Sequence, residues 1–137
     1  MGDGGGGETL EYVYRISTTE EWEEFQKKGE IFGGNLDQTT GFIHLSKLHQ
    51  VKDTLQRFFQ GRQDLYLLQI DANKCLNWIL WQLGEGLVYE AVDDGSSYFP
   101  HFYGPTRSFS PLPLDAVTKA EKLQLLGGEL TCSLFNK

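Results

Sequence analysis

The sequence has few cysteines, no long apolar run and no apolar segment at its start. Cys75 and Cys132 are the only two cysteines, and they form neither a CxxC pair nor a Cys/His zinc spacing. We therefore expect reduced thiols and a cytoplasmic or nuclear location. No apolar run reaches the roughly 18 residues of a membrane span. Residues 1–9 lack the apolar core of a signal peptide, so neither a membrane segment nor secretion is predicted.

Basic residues are also in short supply. The chain has 12 lysines and arginines against 19 acidic residues, for a net charge of −7 and a pI of about 4.9. The basic residues are scattered, whereas a general nucleic-acid binder concentrates them on one face. We expect no general nucleic-acid binding, although a small basic pocket for one phosphate group is compatible with this charge. No Ser-His-Asp signature, nucleophile elbow or metal-binding cluster is visible, so no metal site is predicted.

The remaining composition is typical of one folded domain. Of the 137 residues, 39% are apolar and 13% are aromatic, which is enough to build a core at this length. Residues 1–9 are rich in glycine, and we expect a flexible tail there. We predict a single globular domain over residues 10–137.

The N-terminal third is predicted to form a strand, a helix and a connecting segment. Alternating apolar residues favour a strand over 10–16. Thr18 followed by Glu21 is a capping box, which predicts a helix over 19–28. Residues 30–40 are expected to form a loop or short strand.

A second helix is predicted over 47–60, with Ser46 as its N-cap. Five apolar residues at helical spacing support it: Leu48, Val51, Leu55, Phe58 and Phe59. The run over 64–72 is too continuously apolar for a half-exposed strand, so it predicts a central strand that is covered on both faces.

Further strands are expected over 41–46, 75–83, 87–92, 117–125 and 129–135. Helical structure remains an alternative for the second and the fourth of these segments. The order is therefore β-α-β-α followed by strands, without a repeated βαβ unit. This order predicts an α+β fold, a compact single domain of mixed, mostly antiparallel sheets with two helices in its N-terminal half.

The motif "GFIHLS" contains a histidine between apolar residues. Strand alternation places Phe42 and His44 on one face, and Ile43 and Leu45 on the other. The imidazole therefore either packs as a structural histidine or faces a cleft.

The motif "YFPHFYG" places His101 among four aromatic residues. Pro100 restricts the backbone, Gly104 allows a tight turn, and the rings provide dry walls. Such surroundings favour an oriented imidazole for acid–base or ligand-binding work. The alternative is an aromatic cluster that only stiffens a loop.

The motif "LVYEAV" contains Glu90 in an otherwise apolar strand. A buried carboxylate is costly unless it is paired or hydrogen-bonded. Its partner is expected to be Arg15, which poses the same question in "YVYRIS", or a histidine, or a substrate hydroxyl. A structural salt bridge between Arg15 and Glu90 is the alternative to a functional role.

The motifs "VYRIS", "GFIHLS", "DLYLLQID", "VYEA" and "YFPHFYGP" follow one another in this order. In these motifs and their order, the sequence resembles the domain of unknown function 952 family over roughly residues 11–125. That family has been grouped with ADP-ribosyltransferase-like folds, whose enzymes transfer an ADP-ribosyl group from NAD.

The resemblance implies roles for three residues. Arg15 matches the first-strand residue that holds the nucleotide, Ser46 the middle serine, and Glu90 the glutamate that steers the nucleophile. The "STS" triplet and "ExE" pair of those enzymes are missing here, and His101 has no counterpart among them.

The predicted site combines the residues singled out by the three motifs with the roles implied by the family resemblance. Glu90, His44 and His101 are the candidate catalytic residues. The candidate ligand-binding residues are Arg15, Ser46, Phe102 and Tyr103. The predicted function is a pocket for a nucleotide-like or phosphorylated small molecule, with ADP-ribosyl transfer or NAD cleavage as its activity and NAD as the candidate cofactor. The alternative is a non-catalytic binding or interaction module whose histidines are structural.

Overall fold

The computed structural model describes residues 12–72, 87–92, 97–104 and 108–135. The helices within these ranges are α1 (Thr19–Lys28), α2 (Asn35–Thr40) and α3 (Leu48–Phe58). The strands are β1 (Tyr12–Thr18), β2 (Glu30–Ile31), β3 (Ile43–His44), β4 (Leu65–Asp71), β5 (Leu87–Val92), β6 (Ser97–Phe102), β7 (Leu112–Pro113), β8 (Val117–Lys122), β9 (Gln124–Leu126) and β10 (Glu129–Thr131). Two short 3₁₀ helices, Leu114–Ala116 and Ser133–Phe135, complete the description.

Two three-stranded antiparallel sheets form the framework. One has the order β1-β4-β8, with β4 in its centre, and the other has the order β3-β6-β5. Two smaller antiparallel pairs join β2 to β7 and β9 to β10. An antiparallel bridge between Tyr14 and Ser46 ties β1 to the chain that follows β3. The predicted α+β class with mostly antiparallel sheets is confirmed.

The first core cluster lies between the two three-stranded sheets. Its main members are Val13, Leu68 and Ile70 from the first sheet, Ile43, Leu45 and Phe102 from the second sheet and its border, and Phe25 from α1. Each sheet buries every second side chain here, because neighbouring residues of a strand point to opposite faces. The other face of the sheet β3-β6-β5 therefore carries side chains that do not enter this core.

The second core cluster lies on the other side of the first sheet. It joins Tyr14, Leu65 and Leu67 from the sheet to Val51 and Leu55 of α3. As predicted, β4 is covered on both faces, with both Leu67 and Leu68 fully buried. No helix among the described residues is long and apolar enough to cross a membrane.

The helices differ from the predictions in three details. The short α2 forms where a loop or strand was expected. Lys47, and not Ser46, is the N-cap of α3, because Ser46 is engaged by Tyr14 through two backbone hydrogen bonds of 2.7 and 2.8 Å. Phe58 was expected in the apolar stripe but is 73% exposed, since α3 ends there and the ring faces solvent.

The predicted strands also differ from the structure in extent. The strand expected over 41–46 is only two residues long, and the one expected over 10–16 is described over Tyr12–Thr18. The segment expected over 117–125 forms strands β8 and β9, as its alternation indicated, and the final segment ends in a 3₁₀ turn. The tail and the strand expected over 75–83 lie outside the described residues.

Gly33 allows us to predict a stability effect. Its φ is +73°, and a methyl group in place of its α-hydrogen would overlap the Asp37 carboxyl group. Gly61 also has a positive φ, +83°, but open space around it. We expect Gly61→Ala to cost about 1 kcal/mol of unfolding free energy through backbone strain alone. Gly33→Ala should cost roughly 3 kcal/mol, because the clash displaces a buried charge as well. Urea unfolding of both variants tests this, and equal losses would contradict it.

Candidate functional site

The site begins with the pairing of β3 and β6. His44 lies opposite His101, and Ile43 lies opposite Phe102. Ile43 and Phe102 enter the core, so the two histidines share the opposite face of the sheet. Their ring centroids are 5.6 Å apart.

Asp37 fixes the ring of His44. Its Oδ1 accepts hydrogen bonds from both the backbone N–H and Nδ1 of His44, each at 2.8 Å, and its Oδ2 accepts one from the Gly34 N–H at 2.7 Å. Burial alone would raise the pKa of Asp37, but the hydrogen bonds from His44 and the charge of Arg15 outweigh it and hold that pKa well below its usual range. An ionised carboxylate only accepts hydrogen bonds, so the neutral ring of His44 carries its proton on Nδ1 and keeps the lone pair on Nε2.

Arg15 in turn holds Asp37. Its guanidinium donates to Asp37 Oδ1 and Oδ2 at 3.3 and 3.1 Å, and to the backbone carbonyl of His44 at 3.0 Å. The remaining two donors go to Glu21 Oε1 and Oε2 at 3.1 and 2.7 Å. Burial alone would lower the pKa of Arg15, but the two carboxylates raise it above its usual value. All five N–H donors are therefore used inside the protein.

Glu90 engages the second histidine. His101 Nδ1 lies 2.7 Å from Glu90 Oε1, and the hydroxyl of Tyr103 donates to the same oxygen at 2.6 Å. Glu90 comes from β5, the strand next to β6. Both histidines thus contact a carboxylate through Nδ1.

Phe42 forms an aromatic wall over both imidazoles. Its ring stacks on that of His101 at 3.9 Å and 21°, and lies 4.5 Å from that of His44 and 5.2 Å from that of Tyr103. The side chain of His101 is only 7% exposed, whereas those of Glu90 and His44 are 25% and 32% exposed. Solvent therefore reaches the site mainly at His44 and Glu90.

Four of the predicted site residues meet at this face: His44, His101, Glu90 and Tyr103. Arg15 is close to the site but behind Asp37, with no donor left for a ligand. Of the partners expected for Glu90, the structure shows a histidine, His101, whereas Arg15 binds Glu21 and Asp37 in a separate network.

Two other expectations require correction or restriction. Phe102 was expected to line the pocket, but it is 1% exposed and packs in the first core, because its side chain points away from His101. Ser46 is buried beside Tyr14, and its contact with a ligand stays a prediction.

Sequence reasoning missed Asp37 and the wall formed by Phe42. Asp37 was assigned to a loop or short strand, although its position three residues after Gly34 is where an acidic residue starts a helix. The placement of Phe42 beside His44 was expected from alternation, but its stacking on His101 depends on strand pairing. Among the described residues, no group of three or more His, Cys, Asp or Glu side chains is arranged to hold a metal ion.

These features define an α+β domain with two carboxylate-bound histidines on one face of a small antiparallel sheet. Residues 16–120 match the family described as protein of unknown function (DUF952), and the chain belongs to that family. No curated protein matches the chain significantly.

Solved structures of one bacterial protein have a similar fold. The crystal structure of CC0527 from Caulobacter crescentus is 30% identical, covers 91% of this chain and 96% of its own, and superposes with a TM-score of 0.71. A crystal structure of its double mutant, at 29% identity with the same coverage, also gives 0.71. The solution structure, at 30% identity, covers 89% and 92% of the two chains with a TM-score of 0.67.

The burial of Asp37 predicts a pH-dependent loss of stability. Asp37→Asn should cost about 3 kcal/mol at pH 7, because it removes one partner of a buried ion pair. The pKa of Asp37 is lowered in the folded state, so this stabilisation is complete above the unfolded value of about 3.9 and is lost as the pH falls below it. Urea unfolding at pH 7, 5 and 3 measures the difference, which should shrink at the lowest pH.

A matched control is Asp53→Asn. Asp53 pairs with Arg57 on the surface of α3, and both side chains are more than half exposed. Its loss should stay within about 0.5 kcal/mol at each pH. A similar cost for the two variants at pH 7 would contradict the buried role of Asp37.

Proposed function

We propose that the face around His44 and His101 binds a small molecule and that His44 exchanges a proton with it. The observation that carries this proposal is the pair of carboxylate-bound imidazoles, 5.6 Å apart on adjacent strands. An imidazole fixed through Nδ1 has a defined tautomer and a defined direction for Nε2, which general acid–base chemistry requires.

The proton transfer follows from the contacts of His44. In its neutral form Nε2 holds a lone pair and accepts a proton from a bound hydroxyl group. The imidazolium that forms is stabilised by the Asp37 carboxylate at Nδ1, and it later returns the proton to the ligand or to a leaving group. Glu90 gives His101 the same arrangement, with Tyr103 as a further donor to the carboxylate.

A nucleotide-like or phosphorylated molecule is the ligand class that we propose. The exposed imidazole of His44 becomes a cation on protonation and then attracts a phosphate group. The half-buried ring of Phe42 provides flat apolar surface beside it, which suits a base or another planar ring. The grouping of the DUF952 family with ADP-ribosyltransferase-like folds, which the sequence resemblance implies, favours the same class.

NAD cleavage is a second candidate, supported by the partly exposed carboxylate of Glu90. Breaking the bond to nicotinamide builds positive charge on the ribose, and a nearby carboxylate stabilises that charge. Arg15 has no free donor for the nucleotide. In this second proposal, His44 is therefore the residue that holds the nucleotide.

A binding experiment tests the site. NAD, ADP-ribose and inorganic phosphate are titrated separately while the ring signals of the three histidines are followed by NMR. We expect shifts of His44 and His101 with at least one of these ligands, and a loss of affinity of about tenfold or more in His44→Gln. The matched control is His49→Gln, an exposed histidine on α3, which should bind normally.

The absence of any response at His44 to all three ligands would contradict the proposed ligand class. If a ligand binds, release of nicotinamide or another product is measured for Glu90→Gln and His44→Gln. Binding without turnover in the unsubstituted protein favours the non-catalytic module. Turnover that both substitutions leave unchanged would contradict the assigned roles.

A further inference from the structure

We infer that Glu21 is a positioning residue for His44, acting through Arg15 and Asp37. This inference rests on the proposed function of His44, but its geometry is independent of the ligand. Glu21 has a second role at the start of α1, where its backbone N–H donates to the hydroxyl oxygen of the N-cap Thr18 at 3.0 Å.

Glu21 differs from the other acidic residues of α1 in its contacts. Its two carboxylate oxygens bind Nε and Nη2 of Arg15, whereas Glu24 forms an exposed pair with Lys28 at 3.2 Å. The Glu21 side chain is 17% exposed, against 55% for Glu24. The bidentate contact therefore belongs to a partly buried network and not to a solvated helix surface.

The bidentate contact fixes the guanidinium plane. Nη1 and Nη2 of Arg15 then meet Oδ1 and Oδ2 of Asp37, and Nη1 also holds the His44 carbonyl. Without Glu21, the guanidinium is free to turn, and Asp37 is its one remaining carboxylate partner. Rotation of Asp37 toward Arg15 would draw Oδ1 away from Nδ1 of His44.

Glu21 also acts through its charge. Glu21, Arg15 and Asp37 together carry a net charge of −1, which becomes zero when Glu21 is neutral. In the described part of the chain, the other titratable groups beside the ring include His101, at 5.6 Å between ring centroids, with Glu90 and Tyr103 beyond it. Neutralising Glu21 leaves those groups in place and makes the potential around Arg15 and Asp37 less negative.

A cleft makes the network accessible from solvent. Its volume is about 480 Å³, and its lining includes Arg15, Glu21 and Asp37. A small carboxylate such as acetate can therefore enter the space that a shortened side chain would leave beside the guanidinium.

The direct test is the ring tautomer of His44, read by NMR from its ¹⁵N chemical shifts in Glu21→Gln, with retention of the fold checked by circular dichroism. We expect the Nδ1-protonated tautomer to lose population, because a guanidinium released from Glu21 draws Asp37 Oδ1 away from Nδ1 of His44. Glu24→Gln removes the same charge from an exposed position of the same helix and should leave the tautomer unchanged. An unchanged His44 tautomer in folded Glu21→Gln would overturn the inference.

Chemical rescue separates contact from general charge. In Glu21→Ala, added sodium acetate should restore the Nδ1-protonated tautomer of His44, because acetate occupies the cleft and binds Arg15, whereas sodium chloride at equal ionic strength should not. Equal restoration by both salts, or restoration by neither, would contradict the bidentate contact as the cause.

These readouts separate this inference from the proposed function. A protein that binds none of the tested ligands can still show the Glu21 effect on His44. If the protein binds a ligand but His44 is unchanged in Glu21→Gln, only the positioning role is overturned.

Discussion

The buried contact between Arg15 and Asp37 is the constraint on which the rest of the site depends. A guanidinium at this depth requires acceptors for all five of its N–H groups, and an incomplete set would cost several kcal/mol. Those acceptors come from α1, α2 and the backbone of β3. Three elements that are separate in sequence are therefore held at fixed positions around β1, and His44 is held with them.

The second constraint is the alternation of side chains in the sheet β3-β6-β5. One face supplies Ile43 and Phe102 to the core, and the other carries the histidines and Glu90. The two imidazoles differ in their surroundings, since Phe42 covers His101 while His44 remains one-third exposed. In the proposed function this difference makes His44 the group that meets the ligand.

Local signals allowed much of the fold to be predicted. The N-cap at Thr18, the helix end at Gly29 and the continuous apolar run of β4 depend on neighbouring residues, and each of these predictions is confirmed. The Glu21 side chain, which was expected to close a capping box, binds Arg15 instead. The face shared by His44 and Phe42 also followed from a period of two. These features need no knowledge of distant contacts.

The network could not be predicted, because it depends on pairing between distant elements. The partner of Arg15 was sought in Glu90, since both lie in apolar strands, whereas α2 brings Asp37 closer. Phe102 was misplaced for a related reason. The segment between Pro100 and Gly104 was interpreted as a tight turn or a stiffened loop, so the strand alternation that separates Phe102 from His101 was not applied.

The tautomer of His44 tests this account most directly. It is measured from the ¹⁵N chemical shifts of the ring and their couplings to the ring protons, in the unsubstituted protein at a pH where the imidazole is neutral. The account predicts a protonated Nδ1 and a bare Nε2, because the ionised Asp37 only accepts hydrogen bonds. A neutral ring protonated at Nε2 would contradict it, since Asp37 would then not be the group that orients His44.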